Sequence, residues 1–256
     1  MPWSADMFWA SPETPAFAAF AAEFAASMPP RYQVLFDPRS IRLHAAVSYR
    51  RGGMPARAEV WRSLPDQSAA LCVVADDRPG LLSAVAAALT SHRLDVITAL
   101  VFSREVPGGF EAVDLLWVRR DSADDRDPID DEEAVSIGEV LSAILAGRIS
   151  VEEIASRKPS TPSAADPAVR VQFGEVDEDG RAVLVVEAPD RPGMLLTITF
   201  ELFKHGAQIV RSLVRTVDGG AFNEFELAEF SGAPLSAERR DQIRSAVVVA
   251  LTLRSA

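Results

Sequence analysis

The sequence predicts an α+β chain made of two copies of one unit, strand, helix, strand, strand, helix, with antiparallel sheets. Three observations carry this expectation. Asp77-Arg78-Pro79-Gly80 returns as Asp190-Arg191-Pro192-Gly193, at a spacing of 113 residues. At the same spacing Leu71 and Val73 fall on Leu184 and Val186, and Val96 to Val101 falls on Ile209 to Val214. Each copy then reaches a glycine pair, Gly108-Gly109 and Gly219-Gly220, between two β-rich runs, which reads as a hairpin.

The elements follow in order. Met1 to Met28 carries Trp3, Phe8 and Trp9 ahead of an alanine-rich stretch, and Phe17, Phe20 and Phe24 share one face of a helix expected from Pro12 to Ser27. Asp6, Glu13 and Glu23 interrupt its apolar run and no basic start precedes it, so a signal peptide is not expected. The aromatic face has two readings, packing on the chain's own surface or docking of a partner. Pro38 opens a second helix that Gly52-Gly53 closes. Ala58 to Ser63 reads as a strand, Pro65-Asp66 as a turn, Leu71 to Ala75 as a buried strand and Leu81 to Leu89 as a helix. In the second copy the counterparts are Val169 to Val176, the turn Asp177 to Gly180, the strand from Ala182 and the helix Met194 to Phe203. Helices over Glu132 to Leu145 and Ser236 to Leu251 close the two copies.

No strand pattern follows Leu251. Each unit is therefore expected to take its edge strand from the hairpin before its first core strand, with 56–63 beside 69–75. The expected boundaries are 1–55 for the helical N-terminal segment, 56–148 for the first domain, 149–167 for a linker rich in proline and serine, and 168–254 for the second domain.

The repeated turn has a chemical reading. Proline is tolerated at a helix start because its missing N–H would be unpaired there anyway, and glycine lets the backbone approach a neighbour closely. The free N–H groups at such a start suit an anion, for example a carboxylate. Asp77 or Asp190 taken alone reads as a helix cap. Recurrence with matched flanks shifts the reading toward a site.

With these features the chain resembles ACT domains, ferredoxin-like (βαββαβ) modules that commonly bind amino acids and regulate metabolic enzymes. Pro29-Pro30-Arg31-Tyr32, Phe36-Asp37-Pro38 and His44 are similar to the linker leading into the tandem ACT region of bifunctional PII uridylyltransferase/uridylyl-removing enzymes. Val169 to Phe173, leading into Val185 to Gly193, is similar to the join between the two ACT domains of those enzymes. The resemblance covers roughly residues 29 to 254 and only the regulatory end. It implies two tandem ACT domains, a role in nitrogen metabolism, and an amino acid ligand, glutamine first, held at an ACT–ACT interface. Carried onto this chain, the implied ligand-binding positions are Asp77, Arg78, Gly80 and Leu81 with Asp95 and Val96, and Asp190, Arg191, Gly193 and Met194 with Gln208 and Ile209. Arg93-Leu94-Asp95-Val96 departs from the family's Gly-Ala-Asn-Ile pattern, which Gly206-Ala207-Gln208-Ile209 nearly keeps. A composite site weighted toward the second copy is therefore expected. Alternatives are a ligand-free interaction or dimerisation module and a truncated regulatory half of a uridylyltransferase.

Composition narrows the function classes. A net charge of −11 argues against nucleic-acid binding, and no apolar run reaches the roughly 18 residues of a membrane span. Cys72 is the one cysteine, which precludes an internal disulfide and fits a reducing cytoplasm. The acidic run Asp121 to Glu133 lacks the spaced ligands of a calcium loop and reads as a solvated loop. His44, His92 and His205 have no metal-binding spacing, and the last two sit near helix C-termini, where a cation is favoured. No P-loop, nucleophile elbow or dinucleotide fingerprint occurs. No catalysis and no cofactor are expected; a protein partner or a second copy of the chain would carry the output.

Overall fold

The structure, a computed structural model, describes residues 14–64, 67–122, 124–125, 127–156, 169–174, 176 and 180–252. Three helices come first, α1 (Pro15–Ser27), α2 (Pro30–Leu35) and α3 (Pro38–Arg51). The first copy follows as β1 (Ala56–Ser63), β2 (Ala69–Asp76), α4 (Leu81–Ser91), β3 (Leu94–Val106), β4 (Gly109–Arg120) and α5 (Asp131–Leu145). After α6 (Val151–Ser156) the second copy repeats the order as β5 (Arg170–Phe173), β6 (Ala182–Pro189), α7 (Met194–Lys204), β7 (Ala207–Val217), β8 (Gly220–Glu229) and α8 (Ala237–Thr252). The short helices α2 and α6 have no counterpart in the sequence reading. Trp3, Phe8, Trp9, the Pro65-Asp66 turn and the linker's prolines lie outside the described residues.

The strands form one eight-stranded antiparallel sheet in the order β1-β2-β4-β3-β7-β8-β6-β5. β1 lies beside β2, from Ala56 opposite Ala75 to Ser63 opposite Ala69, and β5 lies beside β6. The hairpin expected at Gly219-Gly220 turns through Asp218 and Gly219, both at positive φ, which suits the right-handed twist of the strands it joins. The two halves join where Thr98, Ala99 and Leu100 of β3 pair with Arg215, Val214 and Leu213 of β7.

Helices α4 to α8 cover one face of the sheet, and the apolar cluster beneath them runs through both halves. α4 is buried from Leu81 to Leu89, because it is enclosed by the sheet and by α5, α6 and α7, and its alanines permit that close approach. Gly138 serves the same end in α5: a Cβ there would lie 3.1 Å from the backbone nitrogen of Ala58.

The other face differs between halves. Over the first, α1 to α3 bury Phe17, Phe24, Met28 and Tyr32 against Cys72, Phe102, Trp61 and Leu115. The aromatic face of α1 thus packs on the chain itself. β2 is accordingly buried on both faces, whereas β6, with no helix on its outer face among the described residues, alternates buried and half-buried residues. His44, wholly buried in this cluster, meets the Tyr32 hydroxyl at 2.6 Å and packs edge-on to Trp61.

Candidate functional site

Each repeated turn is built the same way. Asp77 and Asp190 donate their backbone N–H groups to Phe110 and Gly219, which ties each turn to the neighbouring hairpin. Gly80 and Gly193 are left-handed, at φ 81° and 69°, and cap α4 and α7. The guanidinium groups of Arg78 and Arg191 donate to the carbonyls of Leu145 and Leu251, at 2.6 and 2.9 Å. Both arginines thereby hold the C-terminal end of the copy's second helix, where cations are favoured.

Because β3 pairs with β7 and α4 packs on α7, each turn faces the strand start of the other copy. The turn of the first copy and the beginning of β7 enclose a crevice. Asp77, Arg78, Gly80 and Leu81 line it from one side, and Gln208 and Ile209 from the other. Phe203, at the end of α7, closes it: a Cβ on Gly80 would lie 2.6 Å from its ring, so only glycine leaves room for the ring where it stands. The volume open to water centres is about 20 Å3, enough for a water or two.

Three buried polar atoms of the lining residues have no hydrogen-bond partner: Asp114 Oδ1, Ser83 Oγ and Gln208 Oε1. Such atoms are ordinarily paired. Asp114 is 1% exposed, and burial, with the nearby Asp77 second, pushes its carboxyl well above the usual range. Sheet register sets Asp114 opposite Val73 and Val101, and Asn223 opposite Val186 and Val214, which are the repeat partners of those valines. Asp114 and Asn223 therefore occupy matched positions.

The matching turn of the second copy is closed. Asp95, the repeat partner of Gln208, is 4% exposed and lies at the N–H of Gly193, which favours its charged form. Arg119 bridges Asp95 at 3.1 Å and Asp190 at 2.6 Å. Burial, and then Asp190, hold the Asp95 carboxyl above its ordinary range, while Arg119 pulls it down. Val96 and Met194 are buried, and Asn223 donates to Met194 Sδ at 3.7 Å. Of the twelve positions singled out in the sequence, Asp77, Arg78, Gly80, Leu81, Gln208 and Ile209 line the open crevice, Asp95, Asp190 and Gly193 meet at the closed turn, Arg191 holds the Leu251 carbonyl, and Val96 and Met194 belong to the apolar core.

Sequence reasoning missed Asp114, Ser83 and Phe203. Asp114 had a signal, a lone charge inside the apolar run Ala112 to Val118; Ser83 and Phe203 had none. His92 and His205 cap α4 and α7, and His92 reaches Ala88 O and Ser136 Oγ. Among the described residues no cluster could hold a metal, and no helix is long and apolar enough to cross a membrane.

No protein-family model matches the chain. It is similar to bifunctional uridylyltransferase/uridylyl-removing enzymes. That of Rhodopseudomonas palustris is 29% identical over 175 residues, which are 66% of this chain and 18% of the enzyme. That of Bradyrhizobium diazoefficiens is 29% identical over 185 residues, 71% of this chain and 19% of the enzyme. That of Phenylobacterium zucineum is 27% identical over 243 residues, 91% of this chain and 24% of the enzyme. A solved structure of an unknown protein from Galdieria sulphuraria is 20% identical and covers 76% of this chain and 90% of its own, with a TM-score of 0.21, too low to carry an argument. The chain spans about a fifth of the length of the first of these enzymes, so its similarity is to one region of them.

Proposed function

We propose that the chain is a non-catalytic, cytoplasmic sensor made of two tandem ACT domains, which binds an amino acid, glutamine first, in the crevice between the first turn and β7. The observation that carries this reading is that three residues lining one crevice at a helix start, Ser83, Asp114 and Gln208, each hold a buried, unpartnered polar atom. The likeness to one region of uridylyltransferase/uridylyl-removing enzymes supports a regulatory part in nitrogen metabolism, as a free-standing sensor or as the regulatory portion of such an enzyme. A volume of about 20 Å3 does not admit an amino acid. Binding therefore opens the crevice, with Phe203, 39% exposed and in contact with Phe230, as the movable wall. A ligand-free interaction module is the second reading, favoured by the crevice's small size and by the outer face of β6, which no helix among the described residues covers.

A thermal-shift screen of the purified chain against the twenty amino acids tests the proposal. A ligand at about a hundred times its Kd adds about 2.7 kcal/mol, or about 5 to 10 °C for a chain of this size. Gly80→Ala fills the space beside Phe203 and should abolish the shift. Gly232→Ala bears a similar left-handed strain, at φ 83° with open space around it, and should retain the shift. No shift with any amino acid would favour the interaction module.

A further inference from the structure

The closed crevice of the second copy shows what its open counterpart lacks. At the second turn a carboxylate from within the chain, Asp95, lies at the N–H of Gly193, which favours its charged form, and the interior beneath it is filled by Met194 against Asn223. At the first turn the residue matched to Asp95 is Gln208, whose side-chain nitrogen donates to Ile209 O at 3.4 Å and whose oxygen is unpartnered. The residue matched to Asn223 is Asp114, a carboxylate buried in the crevice wall with an unpartnered oxygen. A free anion entering there would meet the Asp77 and Asp114 carboxyls, while the Arg78 guanidinium is held by the Leu145 carbonyl, so a carboxylate alone gains no counter-charge beside Asp114. A cation alone would leave the turn's N–H groups without the anion that the second turn has. A zwitterion satisfies both ends.

We propose that Asp114 is the specificity-determining residue of this crevice, accepting the α-ammonium group of an amino acid whose carboxylate takes at Gly80 the place that Asp95 takes at Gly193. The inference rests on the sensor reading above and deepens it: the ligand must carry a free ammonium group. Ser83 Oγ, buried and unpartnered beside it, is a second acceptor for the same group.

The test compares the amino acid that shifts the wild-type protein with its desamino acid, which lacks only the ammonium group and so cannot be excluded by size. Both are titrated against the wild type and Asp114→Asn by calorimetry. The expected result is that the wild type prefers the amino acid by about tenfold or more and that Asp114→Asn erases the preference. Loss of discrimination, rather than mere weakening, separates an ammonium acceptor from a structural residue. Asn223 stands in the matched position, so the fold accommodates asparagine there, and the ligand-free melting temperature of the variant should be equal to or above that of the wild type. Amino acid and desamino acid binding with an unchanged preference in Asp114→Asn would overturn the assignment while leaving the sensor reading intact. An equal shift with ammonium chloride would overturn it in favour of a bare cation site. Failure of every amino acid to bind the wild type would overturn both.

Discussion

Glu111→Ala should destabilise the fold more than any surface change, and the structure allows the magnitude to be worked out. Glu111 is 5% exposed and accepts from Arg51 Nη1 at 3.0 Å, Arg104 Nε at 2.8 Å and Ser48 Oγ at 2.7 Å. The register of β2, β4 and β3 sets Asp76, Glu111 and Arg104 in one row, under α3 and the end of α1. Without the carboxylate, Arg104, itself 5% exposed, keeps only the hydroxyls of Ser27 and Ser48, at 3.0 and 3.3 Å, and the ring faces of Phe20 and Phe24. Arg51 keeps Asp76 and the Met54 carbonyl. One of two buried guanidinium groups thus loses its counter-charge, which places the loss near the lower end of the 3 to 5 kcal/mol typical of a broken buried pair, about 3 kcal/mol. For a chain of this size that lowers Tm by about 6 to 12 °C. Urea unfolding followed by near-ultraviolet circular dichroism, which reports the aromatic cluster, measures it. Glu111→Gln, which keeps the shape and half of the acceptors, should fall between. A loss below about 1 kcal/mol, the range of exposed pairs, would refute the claim that this network fastens α1 and α3 to the sheet.

The remaining predictions concern pH and the closed crevice. Burial, and then Arg62, push His44 down to about 3, so it is neutral in the fold but takes up a proton near pH 6.5 when unfolded. Its folded pKa is depressed, so its contribution is full above about pH 6.5 and is lost as pH falls toward 3, at about 1.4 kcal/mol per pH unit. Melting curves across that window should be flatter for His44→Leu than for the wild type; parallel curves would refute the neutral assignment. Asp95→Ala removes the carboxylate beside the N–H of Gly193 and leaves Arg119 with Asp190 alone. Calorimetric titration of the amino acid that binds the wild type should then give two ligands per chain in place of one, and an unchanged stoichiometry would show that Met194 and Asn223 suffice to close the second crevice.

The repeat, its turns and most of its elements were legible because they rest on local rules. A proline before a glycine at a helix start, paired glycines between apolar runs, and apolar periodicity each act within a few residues. The edge strands β1 and β5 were legible from the strand-like runs ahead of each first core strand, Ala58 to Ser63 and Val169 to Val176. The Glu111 network was not: nothing near Arg51, Arg104 or Glu111 in the sequence marks them as partners, and only the docking of α3 on the sheet brings them together. Helix α6 was hidden by the linker composition around it, and α2 by the proline pair at its start, Pro29-Pro30.

The sequence by itself determined that two like units exist and which turns start helices whose first N–H groups have no partner within the helix, because a turn's conformation depends on its own residues. Tertiary structure decided which of the two turns stays open. That depends on residues from the other copy, Gln208 and Phe203 at the first turn, Asp95 and Arg119 at the second, and these meet only when β3 pairs with β7. The same holds for the outer face of the sheet: β2 and β6 are matched strands, yet α1 to α3 cover only the first. Whether an apolar position is core or surface is a property of what packs on it, and a strand does not encode its cover.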